Sequence, residues 1–149
     1  MPPRRFVFDT NIYRYSASSR DFDARIREDF QTVRVSAVVL SELWRSARSE
    51  EARAWLTKLE KRLRDFTFVP SYPDWRQVGE YLSTRLSRAG RAPTAEALTA
   101  IRKEQNDALI ALSSWNQGFV VVTCDNDFER IREWARAPAW KLVHVPAPP

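Results

Sequence analysis

Residues 119–125 read Phe-Val-Val-Val-Thr-Cys-Asp, an apolar run that closes on a carboxylate. β-Branched and aromatic side chains fit a buried pleated surface, so Phe119 to Cys124 is expected to be the most hydrophobic strand of the chain. Phe6-Val7-Phe8 has the same character and also ends on a carboxylate, Asp9. Val33-Arg34-Val35, Phe66 to Val69 (stopped by Pro70) and Lys141 to Val145 are the other strand candidates.

Helical patterns separate these strands. Phe22, Ile26 and Phe30 recur every four residues. A helix starting near Ser36 carries Val38, Val39, Glu42, Leu43 and Ala47 inward, and Ala52, Trp55, Leu56, Leu59 and Leu63 mark the next one. Ser71 with Asp74 reads as a capping box ahead of a stripe of Trp75, Val78, Leu82 and Leu86. Gly90 and Pro93 break the chain. Thr94 caps a helix with Leu98 and Ile101 inward, which runs through Asp107 or stops just before it. Gly118 ends that region, and Asn126 with Glu129 caps a helix bearing Phe128 and Ile131. This alternation implies an α/β fold with a central, mainly parallel sheet covered on both faces. Ligands in such sheets bind beyond the carboxyl ends of strands, where Asp9 and Asp125 stand.

Four acids in segments that otherwise read as buried carry the functional reading: Asp9, Glu42, Asp107 and Asp125. Burying an uncompensated carboxylate costs several kcal/mol, so such groups persist mainly beside a cation or hydrogen-bond donors. Convergence of the four would make an oxygen-rich site for a divalent cation. Each also has a plainer role open to it. Asp9, Asp107 and Asp125 suit helix caps, as does Asp127, and Glu42 faces solvent if the helix phase is one residue out.

Other chemistries find less support. His144, the single histidine, lies in the last strand and reads as structural, which leaves a Ser-His-Asp arrangement without a base. Cys124, the single cysteine, excludes an internal disulfide and a multi-thiolate zinc site, and reads as an inert thiol. The three glycines form no phosphate-cradling loop. Trp55 and Trp75 are assigned to the core, and Trp44 to the border of the acid site. At 149 residues the chain is expected to be one domain over 1–149, with its core from about 6 to 145 and a short proline-rich tail over 146–149. No stretch approaches the ~20 apolar residues of a membrane helix and no signal-peptide core is present, so a cytoplasmic protein without membrane contact is expected. The net charge of +5, from 24 basic and 19 acidic residues, suits a polyanionic partner.

The ordered set Phe8-Asp9-Thr10-Asn11-Ile12, Ser41-Glu42-Leu43, Asn106-Asp107-Ala108-Leu109-Ile110-Ala111 and Val122-Thr123-Cys124-Asp125-Asn126-Asp127-Phe128 resembles the PIN-domain ribonucleases. Among them it is most similar to the VapC-like toxins of toxin–antitoxin systems. The resemblance implies a three-layer α/β/α sandwich and a Mg2+- or Mn2+-dependent endoribonuclease that leaves a 3′-hydroxyl and a 5′-phosphate. It matches Asp9, Glu42, Asp107 and Asp125 to the metal-binding and catalytic acids, with Asp127 able to share or replace the role of Asp125. Asn11 and Thr123 match supporting positions. Arg14, Arg45, Arg48 and Lys103, with Arg4 and Arg5, are candidates to hold the RNA backbone. A cognate antitoxin and a homodimer are the implied partners. The chain departs from the pattern at Trp44-Arg45-Ser46-Ala47, where relatives often carry glycine, and in its charged segment from Gly90 to Gln105. Two other readings stand beside this one. The first is a basic RNA- or partner-binding module whose acids only cap helices. The second is a magnesium phosphatase with Asp9 as nucleophile, which has Asn11 where that chemistry places a second Asp.

Overall fold

A computed structural model describes residues 3–88, 94–137 and 139–149; the chain break expected at Gly90 and Pro93 lies outside them. In chain order the elements are β1 (Phe6–Phe8), α1 (Thr10–Ser18), α2 (Arg20–Asp29), β2 (Val33–Ser36), α3 (Ala37–Ser46), α4 (Glu50–Leu63), β3 (Thr67–Phe68), α5 (Tyr72–Arg88), α6 (Ala95–Asn116), β4 (Val120–Thr123), α7 (Asp127–Trp134) and β5 (Leu142–His144). The strands form one sheet in the order β3-β2-β1-β4-β5, and every pairing is parallel. Parallel neighbours require crossovers, and right-handed ones put the helices before β3 on one face and those after it on the other. Packing sorts them the same way: α1 lies against α2 and α3 against α4, while α5 and α7 both lie against α6. The result is the expected three-layer α/β/α sandwich.

The core follows from composition. Val7, Val121 and Val122 are fully buried in the two central strands. From Asp107 to Trp115 every residue of α6 is buried, so this half of the helix is covered all round rather than along one stripe. Gly118 closes the turn between α6 and β4 at φ +75°, where its N–H donates to Trp115 O at 2.9 Å. Left-handed backbone at a helix end is glycine's usual place.

Several local expectations are corrected. Helix α1 has no clear sequence signal because Thr10 and Asn11 are poor helix formers; it forms because Asp9 caps it and Ile12 and Tyr13 are buried. The third strand is only Thr67–Phe68, preceded by a 3₁₀ turn over Arg64–Phe66. In α5 the capping box is present: Ser71 N–H donates to Asp74 Oδ2 at 2.7 Å and Asp74 N–H to Ser71 Oγ at 3.4 Å. The inward stripe differs from the expected one. Asp74, Val78 and Tyr81 are buried, whereas Trp75 is 47% exposed and Leu86 is exposed as well. Asp74 also accepts from Asn116 Nδ2 at 2.7 Å, and that link to the end of α6 turns the helix about its axis. Leu98 is exposed rather than inward. Helix α6 runs unbroken through Asp107, so Asp107 caps nothing. Asn126 makes no side-chain cap; the N–H of Asp127 goes to Asp125 Oδ1 at 3.1 Å.

Candidate functional site

Strand order places the acids. The chain leaves β1 toward β2 and β3, then returns on the other side of β1 as β4, so the sheet's switch point lies between β1 and β4. Asp9 follows β1, and its N–H donates to Val122 O of β4 at 3.0 Å. Asp125 follows β4. Glu42 comes from α3, the helix after β2, and Asp107 from the buried half of α6. Helix α3 packs against both α1 and α6.

Hydrogen bonds join the four motifs. The Thr10 hydroxyl donates to Glu42 Oε2, and Asn106 Nδ2 donates to Glu42 Oε1 at 2.9 Å. Asp9 Oδ1 accepts from Thr10 N–H at 2.6 Å and Oδ2 accepts from the Thr123 hydroxyl at 3.0 Å. Thr123 Oγ1 in turn accepts the N–H of Asp125 at 3.0 Å, so one hydroxyl ties both strand-end acids together. Asp9 is therefore a helix cap and a member of the acid group at once. Thr10 and Asn106 were not singled out from sequence, although each is the immediate neighbour of a motif acid.

Burial and mutual repulsion set the protonation. Asp9 is 4% exposed, and burial pushes its carboxyl up to about 6; bonds from Thr123 and Thr10 oppose this, and Glu42 and Asp125 add to it. Asp107 is 8% exposed and pushed up to about 8, first by burial and then by Asp9 and Glu42; Lys103 opposes and Asp127 adds. Glu42 and Asp125 thus lie near enough for their charge to act on Asp9, and Asp9 and Glu42 near enough to act on Asp107. Among the described residues no donor bonds the Asp107 carboxylate, which holds its proton at pH 7.

The donor set suits a hard cation, since it is made of carboxylate, amide and hydroxyl oxygens without thiolate or imidazole. As the side chains stand, no group of three or more His, Cys, Asp or Glu among the described residues is drawn closely enough together to hold a metal ion. The hydrogen bonds account for this. Glu42 is turned onto Thr10 and Asn106, and Asp125 onto the start of α7.

The remaining candidates are arranged around this group. Asp127 is taken up by cations, with Lys103 Nζ at 3.5 Å and Arg130 Nη2 at 2.9 Å. Arg45 lies 3.8 Å from Glu42 and is well exposed. Arg14 is exposed and donates to Asn11 Oδ1 at 3.4 Å. Arg48, Arg4 and Arg5 are exposed. Trp44 donates to Glu60 of α4 at 2.7 Å. Burial pushes the Cys124 thiol up, away from a nucleophile's range, and His144 Nε2 lies 3.2 Å from Glu129 on the surface.

Among the described residues, two cavities are lined by none of the four acids. One of about 990 Å³ has apolar walls including Phe8, Ile26, Phe30, Trp55 and Leu59, with Arg27, Lys58 and Arg62 among its basic residues. The Tyr13 hydroxyl on its wall is buried without a hydrogen-bond partner among the described residues. The other, of about 570 Å³, lies between α5 and α7. Among the described residues no helix is long and apolar enough to cross a membrane.

The family model described as "PIN domain" matches residues 6–133. No curated protein matches the sequence. Solved structures share the fold. VapBC2 from Rickettsia felis, bound to a DNA fragment from its promoter, aligns at TM-score 0.59 and 23% identity, over 94% of this chain and 98% of that one. VapBC-5 of the toxin–antitoxin VapBC family, from Mycobacterium tuberculosis, aligns at 0.57 and 22%, over 96% and 100%. FitAcB from Neisseria gonorrhoeae aligns at 0.62 and 12%, over 93% and 96%.

Proposed function

The chain belongs to the PIN-domain family, and from that premise we propose that it is a divalent-cation-dependent endoribonuclease, the toxin of a toxin–antitoxin pair. One observation carries the reading. Asp9 after β1 and Asp107 in α6 are both held above the ordinary carboxylate range, first by burial and then by neighbouring acids. These are Glu42 of α3 and Asp125 beyond β4 for Asp9, and Asp9 and Glu42 for Asp107, with Lys103 opposing at Asp107. A purely structural set would be relieved by neutral residues, so their retention fits a ligand that neutralises them.

Asp9 and Asp107, with Glu42 and Asp125, would hold Mg2+ or Mn2+. Such an ion supplies positive charge where negative charge builds on the phosphate, and it acidifies water. The chain's own groups do the rest. Thr123 and the N–H of Thr10 fix the Asp9 carboxylate, and Thr10 with Asn106 fixes Glu42. Water adds to phosphorus as the bond to the 3′ oxygen breaks. Its proton passes to a carboxylate oxygen of Glu42 or Asp125, and the departing 3′ oxygen gains one from solvent. Lys103, Arg45 and Arg14 hold flanking phosphates.

The antitoxin belongs to the same reading, supported by the VapBC complexes among the fold neighbours. The apolar 990 Å³ cavity with its basic residues suits a partner segment carrying apolar side chains and acids. Exposed Val69, Tyr72 and Trp75 support a second copy as a further partner. The test is incubation of the purified protein with mixed RNA in manganese, beside chelator and Asp9→Asn controls. Asparagine keeps the cap of α1, so a folded but inactive variant is expected. RNA left intact in manganese, or cut equally by the variant, would remove the reading.

A further inference from the structure

The cavity between α5 and α7 carries chemistry that the acid group does not use. Arg85, Arg130 and Arg136 line its wall against one carboxylate, Glu133. Behind the wall, Glu104 accepts from Arg85 Nε and Nη2, both at 3.1 Å, and from Arg130 Nη1 at 3.5 Å. That fixes the planar forks while Arg85 Nη1 makes no hydrogen bond among the described residues.

Arg136 is the second observation. It stands just past the end of α7 at φ +49°, with its N–H on Glu133 O at 3.1 Å. Left-handed backbone is a common way for a helix to end, but glycine or asparagine takes it most readily, so an arginine there bears strain. Trp134 is the third. Its Nε1 donates to Thr84 Oγ1 at 3.4 Å and its ring meets Tyr81 edge-on at 5.2 Å, which pins a half-buried indole in the same wall. Aromatic faces beside arginines are how chains of nucleotides are held. Finally, Arg130 also bonds Asp127 Oδ1 at 2.9 Å. The N–H of Asp127 in turn donates to Asp125 Oδ1 at 3.1 Å, so Arg130 stands between the cavity and the acid group.

We propose that this cavity is a nucleotide subsite for single-stranded RNA, which takes a phosphate of the strand on Arg85, Arg130 and Arg136 and a base against Trp134. The proposal rests on the ribonuclease reading for what becomes of the strand. It makes the strand run from the acids across Arg130 into the cavity, so that binding strength depends on residues outside the acid group.

The probe is a short fluorescent oligouridylate bound to Asp9→Asn protein in manganese, followed by anisotropy across a salt series. Arg136→Gly, which relieves the left-handed strain, is expected to melt no lower than its parent yet bind about three- to tenfold more weakly. The slope of log affinity against log salt should fall by about 0.7 for the lost phosphate contact. Arg85→Gln should act in the same direction. Arg64→Gln, at the opposite edge of the sheet, should bind as the parent does. No binding by the parent, parental binding by both cavity variants, or equal loss in Arg64→Gln would overturn the proposal. Cleavage separates the two readings. RNA cut by the native protein with unaltered binding in both cavity variants removes the subsite and keeps the nuclease. Cavity-dependent binding without cleavage keeps the subsite and removes the nuclease.

Discussion

Replacing Asp107 by asparagine should stabilise this protein in chelator, and should do so more as pH rises. At pH 7 the unfolded carboxyl, with its ordinary value of 3.8, is ionised, whereas the folded one, near 8, is not. Holding that proton costs about 1.4 kcal/mol per pH unit between 3.8 and 7, an upper bound of about 4 kcal/mol. Asp9 and Glu42 share in the shift, and local relaxation lowers it, so neutralisation is expected to recover roughly half, about 2 kcal/mol. For a chain of this length that is about 4–8 °C in melting temperature. The sign follows from the raised value. Below the unfolded value both states are protonated and nothing is lost; stability then falls as pH climbs toward the folded value. Melting of native and Asp107→Asn protein in chelator at pH 4, 6 and 8 should therefore show a gap that opens with pH. A gap that stays constant, or a variant less stable at pH 8, would mean the carboxylate is already compensated and would refute the reasoning.

Three further outcomes are expected. Thr123→Val removes the hydroxyl that bonds both Asp9 and the N–H of Asp125; denaturant titration should show a loss of about 1–3 kcal/mol. Asp74→Ala cuts Ser71 and Asn116 loose from the start of α5, with a loss of about 1–3 kcal/mol in the same assay and unchanged RNA cleavage. Gly118→Ala forces a side chain onto φ +75°, and the cost of about 1–2 kcal/mol should appear as faster unfolding or a lower midpoint.

The strands and acids were legible because their signals are local. Val120–Thr123 is apolar at nearly every position, and each acid interrupts an apolar run. What sequence could not give were helix phases set by distant partners. Trp75 reads as core until Asn116, more than forty residues on, draws Asp74 inward. Leu98 belongs to the outer half of α6, which only the tertiary fold separates from the buried half. Helix α1 begins with two poor helix formers and exists through its cap and its buried Ile12. The roles of Thr10 and Asn106 depend on α3 packing against α1 and α6, a contact no spacing in the sequence encodes.

The central claim is that the buried acids exist to hold a cation. Free manganese, counted by its electron paramagnetic resonance signal as it is titrated into the folded protein near pH 7, tests this most directly. The account requires saturable binding by the native chain, a rise in melting temperature as the ion is taken up, and loss of both in Asp107→Asn. A manganese signal that grows as in buffer alone, or equal uptake by the Asp107→Asn protein, would contradict it.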